Sequence, residues 1–340
     1  MDFKKLSMKL KIGVFGVGHL GKIHIKCIQQ IDNYELVGFY DPSDENAQEL
    51  VKRGIKRYAT EADLIAAIDV VDIVTPTPEH FQIAKKAIQA NKDVFIEKPI
   101  THTIDEAEAL IELNKIHNRK VQIGHVERFN PAFLGLKEQL LNPMFIEGHR
   151  LSMFNPRGTD VSVIQDLMIH DIDIVLHMVD SEIKNVHASG VSVMSDSPDI
   201  CNARIEFENG CVANLTASRI SLKQMRKLRM FQQDAYISID FLAKKLEVIR
   251  LLDEEAKLKS ENPNLMELEV KNKKRWIDVN MPEIVSNNAI LDELSALSNS
   301  VINDTAVVVD MQAGIKALKV VKSILTAIDQ GKTNGTKYAN

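Results

Sequence analysis

The stretch Lys11-Ile12-Gly13-Val14-Phe15-Gly16-Val17-Gly18-His19-Leu20-Gly21 decides how the first part of this chain folds. Ile12 to Phe15 reads as a buried strand, and Leu20 to Ile31 has helical spacing. Between them Gly16, Gly18 and Gly21 spell G-x-G-x-x-G. In a strand–turn–helix context the first glycine permits the tight turn and the second lets backbone N–H groups approach a pyrophosphate. The third lets helix and strand pack closely, while the helix N-terminus favours the anion. His19 and Leu20 complete the turn, with His19 expected against the pyrophosphate rather than in chemistry. The next strand, Leu36 to Tyr40, ends in Asp41, about 20 residues past the turn, where a carboxylate can accept both ribose hydroxyls and repel a 2′-phosphate. Pro42 and Ser43 follow rather than Arg or Lys. These residues predict a Rossmann domain that takes NAD in preference to NADP.

Downstream, the alternation continues. Val70 to Val74 and Val94 to Ile96 are near-continuous apolar strands with helical Phe81 to Ala90 between them, the pattern of a parallel sheet covered on both faces. Capping boxes at Thr60-Glu61-Ala62-Asp63 and Thr103-Ile104-Asp105-Glu106 start two further helices. Val121 to Ile123 is counted as a sixth strand, so residues 1–125 form the nucleotide domain and 126–340 a second one. In that second part a helix is expected at Phe133 to Leu140, a strand at Met144 to Ser152 and a long helix around Ile164 to Val179. Strands at Asn202 to Phe207 and Cys211 to Ala217 flank Asn209-Gly210, a type I′ hairpin signal. Strands at Leu228 to Gln232, Tyr236 to Phe241 and Leu246 to Leu252, then helices near Ala289 to Val301 and Asp310 to Ile328, complete an α+β domain with an open, mainly antiparallel sheet.

Composition narrows the class. Net charge is -5 with 26% charged residues, and no Lys/Arg cluster offers a polyanion footprint, which argues against nucleic-acid binding. Cys27, Cys201 and Cys211 show no CxxC spacing, so neither a disulfide framework nor a zinc site is expected. No apolar run approaches the ~20 residues a membrane helix needs. A cytoplasmic protein is the expectation.

Two places carry candidate chemistry. At 100° per residue, Asp166, His170, Asp173 and His177 fall within about 60° of arc on an otherwise apolar, hence buried, helix. Acid/base chemistry, a metal site and a hydrogen-bonded structural stripe all fit that pattern, although no further ligand cluster supports the metal. Lys98 closes an apolar strand, where open α/β sheets bind ligands, and Glu97 beside it could orient or neutralise the ammonium. Arg128 and Asn130, just past Val121 to Ile123, are placed to reach cofactor or substrate.

Thr75-Pro76-Thr77-Pro78-Glu79-His80 and Glu97-Lys98-Pro99, each after a strand, together with Asp166-Leu167-Met168-Ile169-His170, resemble the glucose–fructose oxidoreductase / inositol dehydrogenase / rhizopine catabolism (Gfo/Idh/MocA) family. Gly124-His125-Val126-Glu127-Arg128-Phe129-Asn130-Pro131 is closest to a branch that includes UDP-N-acetylglucosamine 3-dehydrogenases. Ahead of Asp166 this chain has Val161-Ser162-Val163-Ile164-Gln165 where many members have glycines. The resemblance implies hydride transfer between a secondary alcohol and nicotinamide. In it Lys98, His170 and Asp166 are catalytic and contact substrate, without deciding whether Lys98 or His170 is the base. Thr75, Pro76, His80, Glu97 and Lys98 border the cofactor. A nucleotide-sugar substrate would take Arg157 as a phosphate contact. Polyol or diol dehydrogenation, or a non-catalytic NAD-binding regulator, are the alternatives. The family's pairing of subunits over the antiparallel sheet implies a homo-oligomer, dimer or tetramer.

Overall fold

The computed structural model describes residues 9–136, 139–155, 161–260, 262–270 and 273–335. The chain divides into two compact units, one running through Phe129 and joined by Asn288–Lys319, the other Asn130–Asn287 with the chain from Val320.

The first unit is built on five parallel strands, β1 (Leu10–Phe15), β2 (Tyr34–Tyr40), β3 (Val70–Ile73), β4 (Asp93–Glu97) and β5 (Val121–Gly124), in the order β2-β1-β3-β4-β5. Their runs are near-wholly apolar because helices bury both faces. One face packs Phe15, Ile73 and Ile96 against Leu64, Ile83 and Leu110. The other packs Ile12, Val14 and Phe95 against Ile25, Leu50 and Leu294. The Thr103 capping box forms with both of its hydrogen bonds.

The count of six is one too many: Val121 to Ile123 is the fifth run named and lies in the fifth strand, β5. Beyond β2 the pairing shrinks to a single parallel bridge, Phe39 with Arg57. The segment is too short for more: Leu50 still accepts the Ile55 N–H, and the Thr60 side chain already caps the next helix. The two terminal helices were expected in the second domain. Leu294 and Leu297 of the helix Ala289–Ile302 instead join the nucleotide unit, as do Ile315 and Leu318 early in Met311–Gly335. An amphipathic pattern says that a helix is buried, not which core receives it.

The second unit carries a nine-stranded sheet. Its strands are β6 (Phe145–Leu151), β7 (Ile183–Val191), β8 (Ile200–Phe207), β9 (Val212–Ser218), β10 (Met225–Phe231), β11 (Ala235–Asp240), β12 (Lys245–Leu252), β13 (Met266–Val270) and β14 (Lys273–Asn280). The order is β13-β14-β12-β11-β10-β6-β9-β8-β7. Neighbours are antiparallel except β6 and β9. Alternating burial along β6, β8, β9 and β11 marks one core-facing side. β7, β13 and β14 were not foreseen, being polar strands of this sheet's rim. The β8–β9 hairpin is not type I′: only Gly210 has positive φ, and its N–H closes a turn on Phe207. A type I turn followed by a left-handed glycine makes the connection. The helix expected at 133–140 is a single turn, Pro131–Leu134, among the described residues.

Candidate active site

The glycine turn has the shape its sequence demands. Gly16 sits at φ +86, and a Cβ there would lie 2.8 Å from the Val74 carbonyl oxygen and 2.9 Å from the Thr75 nitrogen. A Cβ on Gly21 would collide with the Gly16 carbonyl oxygen, so the helix His19–Ile28 could not start so close to β1. Gly18 is different. Nothing lies within 4 Å of its Cβ position, and as N-cap it offers no side chain to the first-turn N–H groups. Open space over uncapped donors fits a pyrophosphate. His19 is exposed and Leu20 half-buried.

Asp41 is buried, and its Oδ2 accepts the Val17 N–H at 2.8 Å while Oδ1 accepts the Ser43 N–H at 2.8 Å. The carboxylate therefore braces the glycine turn as well as ending β2. Arg57 donates to the Asp41 carbonyl and pairs with Asp44, fixing the same corner.

Thr75 follows β3. Its hydroxyl is buried with no hydrogen-bond partner among the described residues, a polar atom left for a ligand. Pro76 is exposed beside it. His80 is buried with Nε2 2.9 Å from the Thr75 carbonyl oxygen and Nδ1 2.9 Å from that of Pro99. Burial holds its pKa low, against the two carbonyls, which favour the protonated ring. His80 thus sits between the end of β3 and the end of β4, its neutral ring able to donate to one of the two carbonyls at a time. Lys98, half-buried, follows β4, and its bond to Pro99 is cis. Glu97 turns inward: Oε2 accepts the Lys98 N–H at 3.1 Å, and Oε1 lies 3.3 Å from His24 Nε2. Arg128 is buried in the short 3₁₀ turn Val126–Phe129.

In the second unit, Asp166 and His170 are half-buried. The expected regular helix begins instead as a π-turn, Ile164–Met168, continuing as the α-helix Ile169–Met178. The wider turn takes Asp166 off α-helical spacing with His170. Asp173 is buried while His177 is exposed with its ring 5.9 Å from that of Phe133, so the four residues do not share one environment. Asn130 caps Pro131–Leu134 through Oδ1 and donates from Nδ2 to the Phe241 carbonyl. Arg157 lies outside the described residues.

Two buried ion pairs that the sequence reading missed hold this segment. Arg150 on β6 grips Asp171, next to His170. Arg219 pairs with Asp199 at 2.7 Å and donates to the Val161 carbonyl, just before the π-turn. Asp199 also accepts the N–H groups of Val193, Met194 and Ser195. Burial alone would raise its pKa, but those N–H groups, Arg219 and the Ser195 hydroxyl more than reverse this and hold it well below the usual carboxylate range. Asp199 and Arg219 flank apolar strands, and only that break in pattern hinted at them.

A parallel sheet with a glycine cradle at its carboxyl ends is the architecture of a dinucleotide-binding protein. Residues 10–125 match the oxidoreductase family, NAD-binding Rossmann fold, and residues 142–237 the GFO/IDH/MocA C-terminal domain. The chain belongs to the Gfo/Idh/MocA oxidoreductase family. It is 40% identical over 241 residues to the UDP-N-acetylglucosamine 3-dehydrogenase of Acidithiobacillus ferrooxidans, covering 70% of this chain and 76% of that one. The solved structure of that enzyme aligns over 95% of this chain and 98% of its own with a TM-score of 0.85 at 32% identity. The scyllo-inositol 2-dehydrogenase (NAD(+)) of Bacillus subtilis is 28% identical over 236 residues, covering 64% of this chain and 69% of that one. No helix among the described residues is long and apolar enough to cross a membrane.

Proposed function

We propose that this enzyme is an NAD-dependent dehydrogenase of a nucleotide sugar, oxidising the C3 hydroxyl of UDP-N-acetylglucosamine or a close analogue. The observation that carries the reading is that the open glycine turn, the unpartnered Thr75 hydroxyl and Lys98 all follow the carboxyl ends of neighbouring strands β1, β3 and β4. The similarity to the Acidithiobacillus ferrooxidans enzyme supports the substrate class.

Gly18 and the first-turn N–H groups hold the pyrophosphate, and Asp41, without an arginine or lysine directly after it, favours NAD over NADP. Bound nicotinamide supplies the hydride acceptor. Lys98 as ammonium holds the substrate oxygen and stabilises alkoxide charge as the hydride departs. His170 takes the hydroxyl proton, oriented by Asp166. Arg157 contacts the sugar nucleotide's phosphate. The enzyme works in the cytoplasm as a homo-oligomer, with its three cysteines free and buried.

The inositol dehydrogenase relative favours a second reading, oxidation of a free polyol. A screen of NADH formation across UDP-sugars and inositols separates the two. Turnover of UDP-N-acetylglucosamine, lost in Lys98→Met while NAD binding persists, is the expected result. Near-normal activity in that variant, or activity with inositols alone, refutes the proposal.

A further inference from the structure

The first unit buries four ionisable side chains that the reaction above leaves unused: His24, Asp72 and Glu293, together with the inward carboxylate of Glu97. Asp72 interrupts the apolar strand β3, and both its oxygens lie near His24 Nδ1, at 3.2 and 3.1 Å. The other ring nitrogen of His24 lies 3.3 Å from Glu97 Oε1, an ion-pair contact outside hydrogen-bond geometry. Glu293, on the apolar stripe of the helix Ala289–Ile302, is fully buried, and neither of its carboxyl oxygens has a hydrogen-bond partner among the described residues. One oxygen of Glu293, one of Glu97 and a ring nitrogen of His24 lie within 4.8 Å of one another. Gly124 leaves the room that Glu97 occupies, since a Cβ there would stand 3.0 Å from Glu97 Oε1.

A neutral imidazole can donate to only one of two flanking carboxylates, whereas the imidazolium serves both. Burial opposes that charge on His24, and Asp72, then Glu97, outweigh it and hold the ring's pKa well above the ordinary histidine value. Burial, reinforced by the charge of Glu97, pushes the Glu293 carboxyl well above the usual carboxylate range. Burial also raises Asp72 against the pull of His24, and raises the Tyr34 hydroxyl and the Cys27 thiol that face the same groups. Phe95, its ring edge-on to that of His24 at 5.6 Å, and Leu294 close the surround. Such a pocket suits a set of groups with little net charge better than a dehydrated metal ion.

We propose that His24, held by Asp72 and backed by Glu293, is a positioning residue for Glu97: its ring attracts one carboxylate oxygen as an ion pair while the other oxygen accepts the Lys98 N–H. The catalytic consequence rests on the assignment of Lys98 to the reaction; the proton arrangement does not.

Imidazole ¹⁵N NMR of the full-length enzyme, with the His24 signals identified by their loss in His24→Gln, tests the arrangement directly. Imidazolium shifts that persist above neutral pH are expected, and a ring that is neutral at pH 7 overturns the proposal. His24→Gln keeps a donor but not the charge. The acid limb of its turnover of UDP-N-acetylglucosamine with NAD is expected to move up by about one pH unit. An unchanged pH profile overturns the proposal, as does a stoichiometric divalent metal in the purified enzyme that Glu293→Gln removes. Lys98→Met should lose turnover yet keep the His24 signature. If the enzyme turns over no sugar, the dehydrogenase reading fails while the NMR and metal measurements still decide this one.

Discussion

Arg150→Met is the substitution whose cost the structure sets most narrowly. Arg150 reaches from β6 to Asp171 in the first turn of the helix that carries His170. Its Nε lies 3.1 and 3.0 Å from the two carboxylate oxygens, and Nη2 lies 2.8 Å from Oδ1. Both side chains are only 3% exposed, so neither regains water when the other is lost. Methionine keeps most of the apolar stem and removes the cation. Breaking one side of a buried pair costs about 3–5 kcal/mol, because the remaining charge stays uncompensated. An exposed pair such as Lys259 with Glu255 contributes below about 1 kcal/mol. Trp276, the single tryptophan, is buried in β14 of the same unit, so its fluorescence during urea unfolding reports on this half of the protein. Arg150→Lys should fall between wild type and methionine, since an ammonium cannot grip both oxygens in a fixed fork. Arg150→Met with Asp171→Leu should recover part of the loss, since the buried carboxylate goes with the cation. A loss below about 1 kcal/mol in Arg150→Met alone would refute the claim that this pair is dry and holds the helix.

Gly21→Ala should abolish NAD binding in calorimetric titration, because the new methyl group collides with the Gly16 carbonyl and forces the helix away from β1. Asp41→Ser should raise the kcat/KM ratio of NADP to NAD and weaken binding of both, since the serine neither repels a 2′-phosphate nor braces Val17 equally well. Asp199 has a depressed folded pKa, so its stabilisation is present above the unfolded carboxylate value of about 4 and fades as pH falls through the folded value. The melting temperature of Asp199→Asn should therefore depend less on pH in acid than that of wild type. His24 and Glu293 carry the opposite sign: their folded pKa values are raised, so the stability they contribute is lost as pH rises through them. Glu293→Gln should flatten the decline in melting temperature that sets in as pH rises above the unfolded glutamate value of about 4.

Much of the fold was legible because its signals are local. Near-continuous apolar runs disclosed β1 to β5, and hydrophobic alternation disclosed most of the second sheet. The polar rim strands β13 and β14 were not legible, since a strand with little to bury has no periodic pattern. Nor was the π-turn at Ile164–Met168, which the pairing of Val163 with the Pro198 carbonyl and of Arg219 with Val161 helps to hold. One Glu97 oxygen accepts the N–H of the adjoining Lys98, while the other lies beside His24, a contact that no neighbour in the sequence specifies.

From sequence alone came the glycine turn, the acidic end of β2 and the Lys98 strand end, because each depends on sterics or charge within one or two adjoining elements. A Cβ at Gly21 meets an oxygen only five residues away in the chain, whatever the rest of the protein does. Tertiary structure decided which core receives the helix Ala289–Ile302 and what its buried glutamate meets. His24 and Asp72 are 48 residues apart, and Gln122 bonds the Glu293 carbonyl across 171. A lone charged residue in an apolar run signals only that a partner is needed; closing the chain around it supplies the partner.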